Sequence, residues 1–458
     1  MDTKVSHSYD PAEYRLRTFH DAVSGFVDAA TTPRDYLEAC LAVIESREPV
    51  VKAFVTMNLP GARAAADAST LRYRAGKPLS PVDGMPVGIK DLFETRDMPA
   101  QMGSPIWKDH QSFRDAAHVH ALREAGAVIV GKTVTTELGM AHPGPTTNPF
   151  DAERTPGGSS SGSAAAVGAC MLPAAIGSQV VGSIIRPAGF CGNVAIKPTF
   201  GALNRGGGHS ALSQSHLGVH AGSLQDAWAV IHAIHRGAGG DPGQPGLFGD
   251  EALAPSARPR KLARLATDGW VDIDAPTRDA YENVIAWLEG QGVAILAAAD
   301  HPAIAAFESA IAGSRQLCHD LCEYELRWPL NIYREMGPGM LSDHMRARME
   351  AAEEMTAESY RACLDRRDVV KARLADLASI VDGMVTLSQP GIAPVGLAST
   401  GNTVFNAPAS VSGGPSITLP LMAVDGMPLG FQLMGFAHGD SRAAGIARWM
   451  LESYHTSP

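Results

Sequence analysis

Three glycine-bracketed segments of the 458-residue chain place hydroxyl or amino side chains where they can do chemistry. The first, PGGSSSGSAAAVGA at Pro156–Ala169, sets Ser159, Ser160, Ser161 and Ser163 ahead of a run of helix formers. Groups at a helix N-terminus meet unpaired N–H donors and the positive end of the helix, which can hold developing negative charge. A flexible serine–glycine loop is the plainer alternative. The second, IGSQVVGSIIRPAGFCG at Ile176–Gly192, puts Ser183 directly after Gly182, where the backbone can turn and a substrate can come close. N–H groups of Val180, Val181, Gly182 and Ser183 could converge there as an oxyanion hole. A strand edge that merely uses small residues explains the same pattern. In the third, Gly88-Ile89-Lys90-Asp91, a short apolar strand ends in a lone lysine. Buried, such a lysine is neutral and can act as a base. Moving its pKa from about 10.4 to about 8 costs on the order of 3 kcal/mol, which a packed site can supply. Paired with Asp91 or another acid, it is only half of a salt bridge. No G-K-[ST] ends the glycine-rich loop, which argues against phosphate transfer, and no G-x-S-x-G elbow with partner His and Asp stands out.

The elements that must position these groups read as an α/β layer protein. Thr32-Pro33 caps and opens a helix through Leu37, Leu41 and Ile44. Val51–Met57 then reads as a strand, and a helix follows from Gly61 to about Ala75. Pro86–Ile89 is a short strand, Ala116–Gly126 a helix, Ala127–Val130 a buried strand and Ala164–Cys170 a helix. Gly177–Ile185 reads as passing from loop to strand. The segment from about Pro255 to Ala378 is rich in Ala, Glu, Arg and His, with long helical periodicity over Asp343–Ala378. It predicts a helical insertion or cap within a single 1–458 domain. Ile380–Leu387 and Ser416–Leu421 read as strands and Ser441–Tyr454 as a terminal helix.

Composition narrows the function. A net charge of −10 and a pI near 5.9 argue against a nucleic-acid partner, which needs a basic stripe. Six cysteines without a C-x-x-C pair do not make a disulfide framework. Cys318, His319 and Cys322 share helical spacing, but the simpler reading is small buried thiols and no metal. The N-terminus lacks an apolar signal region and no 18-residue apolar run occurs, so the expectation is a cytoplasmic protein off the membrane.

Together the three segments resemble the amidase signature family. Ser159 stands 24 residues before Ser183, the family's spacing between bridging serine and nucleophile, and Lys90 has the G-I-K-D setting of the family's lysine. Lys132-Thr133, Asn148-Pro149, Cys191-Gly192, Lys197-Pro198-Thr199, Gly401-Asn402-Thr403, Phe405-Asn406 and Pro428–Leu433 continue the likeness over nearly the whole chain outside the helical middle. The resemblance implies a mixed, twisted β-sheet core flanked by helices. It also implies that Ser183 is the nucleophile, Ser159 (in a cis peptide bond) the proton relay and Lys90 the general base. Ser160 supports the relay, and amides at Val180, Val181, Gly182 and Ser183 form the oxyanion hole. No metal or organic cofactor is implied. The family commonly reads G-T-D-x-G-G-S-I-R. Here Gln179 replaces the aspartate, Val181 a glycine and Ile185 the arginine, with Arg186 one place later.

The expected substrate is a small, hydrophobic or aryl amide, with Trp328, Tyr333, Met336, Met340 and Met345 as candidate lining, and water as co-substrate for a monomer or homodimer. Three other readings stand beside it. One is a carbamate or ester hydrolase using the same serine–serine–lysine set. Another is the glutaminase-like subunit of a tRNA-dependent amidotransferase. The last is an inactive relative serving as a binding or scaffold protein.

Overall fold

The computed structural model of the chain describes residues 8–140, 142–207, 212–337 and 339–454. Among these, eleven strands form one mixed sheet. They are β1 (Phe54–Met57), β2 (Pro86–Lys90), β3 (Val128–Thr133), β4 (Ala174–Gln179), β5 (Val194–Lys197), β6 (His216–Ala221), β7 (Lys261–Arg264), β8 (Ala294–Leu296), β9 (Gly383–Leu387), β10 (Ser416–Val424) and β11 (Met427–Met434). Their order is β1-β3-β2-β4-β6-β5-β10-β11-β9-β7-β8. β2 runs parallel to both β3 and β4, whereas β4–β6, β5–β6, β5–β10 and β10–β11 are antiparallel.

Helices cover both faces, and the alternation along β3 marks them. Ile129 faces an apolar cluster that includes Leu224 and Trp228, while Val128 and Val130 face a second cluster built on Ala164–Ala166, Met171 and Leu172. The Thr32 cap forms as the sequence predicts: its hydroxyl accepts the Asp35 N–H at 3.1 Å, and Pro33 opens the helix Pro33–Val51. Val51 ends that helix instead of opening the strand. Lys52 turns left-handed (φ 53°), and the Glu48 carboxylate accepts from the N–H groups of Ala53 and Phe54, so β1 begins only at Phe54.

Two other expectations change. Gly177–Ile185 runs from strand to loop to helix, the reverse of the order read from sequence. β4 stops at Gln179, and the helix Ile185–Phe190 follows residues 180–184. Every residue of β4 is buried, so it lacks the polar alternation that marks a strand, and Pro187 is tolerated within the first turn of the helix. The periodicity over Asp343–Ala378 belongs to two helices, Asp343–Glu354 and Ala357–Leu377. A reciprocal Thr356–Ser359 capping box starts the second. Within 255–378, β7 and β8 join the central sheet with the helix Ala275–Gly290 between them, and the helical layer itself runs from Pro302 to Leu377.

The helix Ser161–Gly168 seats against β3 and β4 with almost no spare room. Ser163 Oγ donates to Ile176 O at 2.8 Å and shares a 2.7 Å hydrogen bond with Thr133. A Cβ on Gly162 would lie 2.2 Å from Ala53 O and 2.4 Å from Val134 N, both backbone atoms with no freedom to swing aside. Gly162→Ala is therefore expected to lower the unfolding free energy by about 1–3 kcal/mol, the usual cost of overpacking. An unchanged denaturation midpoint would show that this helix can shift.

Candidate active site

β2 carries Lys90 to its last position, flanked on both sides by parallel strands, so the side chain is fully buried. Its Nζ lies 2.7 Å from Ser159 Oγ, 3.1 Å from Ser160 Oγ, 3.0 Å from Ser178 Oγ and 3.4 Å from Ser178 O. The acid next in sequence is engaged elsewhere: Asp91 pairs with Lys132 Nζ at 2.8 Å and accepts the Gln101 N–H. With hydroxyls and a carbonyl around it in place of a carboxylate, burial pushes the Lys90 ammonium well below its ordinary pKa. His220 lies close by; burial pushes it down to about 3, and its Nδ1 is 3.2 Å from Asn193 Oδ1.

The Gly158–Ser159 bond is cis, and the helix that follows the serine segment is pinned to the sheet. Ser160 ties the two serine segments together. Its N–H donates to Ser183 O at 3.3 Å, and its hydroxyl lies 3.2 Å from both Ser178 N and Ser178 O. Ser159 and Ser183 line one cavity of about 100 Å³. Among the described residues, the N–H groups of Val180, Val181, Gly182 and Ser183 meet no acceptor, leaving them open to a ligand oxygen. Gly182 is required by the approach of Asn406: a Cβ would fall 2.5 Å from Asn406 Oδ1.

Two of the three departures from the common family pattern, Gln179 and Ile185, have a structural account. Gln179 Oε1 accepts the N–H groups of Ile184 (2.9 Å) and Ile185 (3.0 Å), and Gln179 Nε2 donates to Ser410 Oγ at 2.9 Å. Ser410 in turn donates to Val181 O at 2.8 Å, so one neutral side chain braces both ends of the 180–184 loop. Ile185 is buried and needs no charge partner. Arg186 turns back under the site and donates from Nη2 to Gly158 O (2.5 Å) and Thr400 Oγ1 (3.1 Å), and from Nη1 to Gly401 O (2.5 Å).

The side chains expected to line a substrate pocket lie elsewhere. Trp328 is 73% exposed, in a separate surface cleft with Tyr324 and Tyr360. Met336 and Met340 are 55% and 52% exposed. Tyr333 and Met345 pack in an apolar cluster with Leu326, Leu330 and Met349. The apolar face of the helix Ser314–Met336 is spent on neighbouring helices and on Leu92 and Leu138; of this cluster Leu92, Leu138 and Leu326, not the residues expected, line a small pocket beside Ser159 and Ser178. The cavity wall opposite Ser183 is instead Arg315, His319, Cys322 and Arg348, with Thr400 and Thr403 at the side. Of these, the sequence reading names Thr403, within the family-like Gly401-Asn402-Thr403, and His319 and Cys322, read as buried residues in preference to metal ligands. Among the described residues no group of three or more His, Cys, Asp or Glu side chains is arranged to hold a metal ion. Ser178 also escapes a reading of the sequence, although its place in the glycine-punctuated run five residues before Ser183 is a usable signal.

Replacing Gln179 by leucine keeps the volume but strips two buried N–H groups of their acceptor. The expected cost is about 1–3 kcal/mol for each unmet group. Urea unfolding of Gln179→Leu beside the parent protein measures it, and matching midpoints would mean that the loop is braced by something else.

Comparison with known proteins places this geometry in context. The amidase family model matches residues 35–443. The chain is 32% identical to a glutamyl-tRNA(Gln) amidotransferase subunit of Chloroflexus aggregans, over 97% of this chain and 98% of that protein. It is 30% identical to AtzE, the 1-carboxybiuret hydrolase subunit of Pseudomonas sp. strain ADP, over 92% and 95% of the two chains. A solved structure described as a vestigial complex bearing on the origins of an s-triazine catabolic enzyme superposes with a TM-score of 0.83 at 25% identity, covering 95% of this chain and 98% of that one.

Proposed function

The chain belongs to the amidase signature family, whose enzymes act on carbon–nitrogen bonds, and on that premise we propose that it is a free-standing amidase working through a serine acyl-enzyme. The observation that carries this reading is the buried contact of Lys90 Nζ with Ser159 Oγ at 2.7 Å, with no acid taking the lysine's charge. In the proposed reaction Ser183 Oγ attacks the amide carbonyl carbon as its proton passes to Ser159 Oγ and that of Ser159 to neutral Lys90. The carbonyl oxygen, now anionic, takes hydrogen bonds from the free N–H groups at 180–183. Collapse of the tetrahedral adduct breaks the C–N bond. Lys90 returns its proton through Ser159 to the departing amine, leaving an ester on Ser183. Water then attacks this ester along the same proton path and frees the acid and Ser183. Esters and carbamates present the same acyl carbon to the same groups.

The first reading needs no group beyond those of this chain, whose lysine, both serines and cavity wall come together, a requirement that the second reading shares. A second reading, a glutaminase-type subunit working with partners, is favoured by the full-length likeness to a glutamyl-tRNA(Gln) amidotransferase component. The two separate on one assay. A free-standing amidase hydrolyses members of an amide, ester and carbamate panel alone, whereas the glutaminase-type component turns over glutamine and depends on added partner.

Ser183→Ala should abolish turnover, and Lys90→Met should reduce it by about 10²-fold or more, the usual span for a lost acid–base group. Activity retained in Ser183→Ala would remove the nucleophile from the scheme. The pH dependence has a definite sign. Burial lowers the pKa of the Lys90 conjugate acid, so the basic amine is present above that lowered pKa, and kcat/KM should fall as pH drops through it. A rate that stays flat down to pH 5 contradicts a lysine base.

A further inference from the structure

The cavity beside Ser183 carries positive charge that acyl transfer does not use. Arg186, Arg315 and Arg348 line it, from the helices Ile185–Phe190, Ser314–Met336 and Asp343–Glu354. Arg186 is 3% exposed and meets only neutral oxygens, those of Gly158, Gly401 and Thr400, while its Nε has no partner. Arg315 makes no hydrogen bond or ion pair among the described residues, although it is close enough to depress Arg186, which burial and this neighbour push down to about 9. Arg348 alone of the three has an acid near it, Glu323 at 3.6 Å, and its Nη1 lies 3.4 Å from His319 Nδ1. Burial and the three arginines hold His319 down to about 4, so at neutral pH it adds a hydrogen-bonding ring and no charge. Loop support explains where Arg186 sits. It does not explain Arg315, or why a cavity wall should hold three guanidiniums against one carboxylate. Guanidiniums gathered without acids repel one another, and a bound anion relieves that cost through charge-assisted, bidentate hydrogen bonds.

We propose that the substrate is an amide that also bears a carboxylate, held by Arg315 and Arg348 against the charge of Arg186 while its amide group lies at Ser183. This rests on the amidase reading above and names the substrate class for it: the acid amides, such as monoamides of dicarboxylic acids, in place of a neutral hydrophobic or aryl amide. The arginines are binding groups in this account. They set KM and selectivity, and the proton path through Ser159 and Lys90 is independent of them.

The test is calorimetric binding to Ser183→Ala of the three- to six-carbon dicarboxylic monoamides beside the corresponding neutral diamides. At least one monoamide anion should bind about tenfold or more tightly than its diamide, and Arg315→Gln and Arg348→Gln should each erase most of that preference. Circular dichroism of both variants checks that they remain folded. In enzyme with Ser183 intact, the same substitutions should raise KM for the anionic substrates and leave kcat nearly unchanged. Equal binding within every pair, no binding by any monoamide, or a preference that survives both substitutions overturns the proposal. The amidase reading is judged separately. Serine-dependent hydrolysis of neutral amides without any charge preference leaves that reading standing and removes this one. Selective anion binding without serine-dependent turnover removes the amidase reading and, with it, the assignment of that anion as substrate.

Discussion

An amine buried among hydroxyl and carbonyl oxygens, with no carboxylate in reach, is the constraint on which the site depends. In water Lys90 would be protonated, but at the end of an interior strand the protonated form loses most of its solvation and gains only neutral partners. Had Asp91 turned the other way, the pair would have fixed the charge and left no base. The structure prevents this by giving Asp91 its own cation, Lys132, which lies on β3 one strand over. Two buried lysines on adjacent parallel strands thus have different partners, a carboxylate for Lys132 and neutral oxygens for Lys90.

The remaining architecture holds oxygen atoms around that nitrogen. Ser159 and Ser160 arrive on a loop whose following helix is anchored to the sheet through Ser163 and seated by Gly162. Ser178 comes from β4, the neighbouring parallel strand. The 180–184 loop that presents Ser183 is braced by Gln179 and Ser410 and backed by Asn406, and among the described residues the N–H groups of 180–183 meet no acceptor. These contacts join residues from β2 to the segment before β10. That explains why motifs scattered over most of the sequence belong to one site of a few residues.

Much of this was legible from sequence, for a physical reason. Glycine at close approaches, a lone lysine in an apolar strand and serines ahead of a helix are each local signals, and the spacing of Ser159 and Ser183 reflects a fixed local path. Buried β4 escapes such a reading because a strand of small residues covered on both faces has neither alternation nor β-branched bulk to mark it. The cavity wall was illegible for the opposite reason. Arg186 stands out in the sequence beside the serine motif, but Arg315 and Arg348 lie on two helices distant from it, and each alone looks like a solvated surface cation. Apolar residues stand out in the helical layer, yet Trp328, Met336 and Met340 face outward and Tyr333 packs into a helix interface. Which face of a helix a residue occupies depends on neighbours that composition does not reveal.

The central claim is that Lys90 is a neutral amine in the resting protein, and its titration can be observed directly. Lysine labelled with 13C at Cε, followed by NMR against pH and assigned by loss of one resonance in Lys90→Met, reports that ionisation without reference to any substrate. The account predicts that the resonance lost in Lys90→Met is one that titrates well below the ordinary range near 10.4, as buried Lys197, pushed down to about 7, also should. A Lys90 resonance that titrates with the surface lysines would contradict it, and with it the proton path built on that nitrogen.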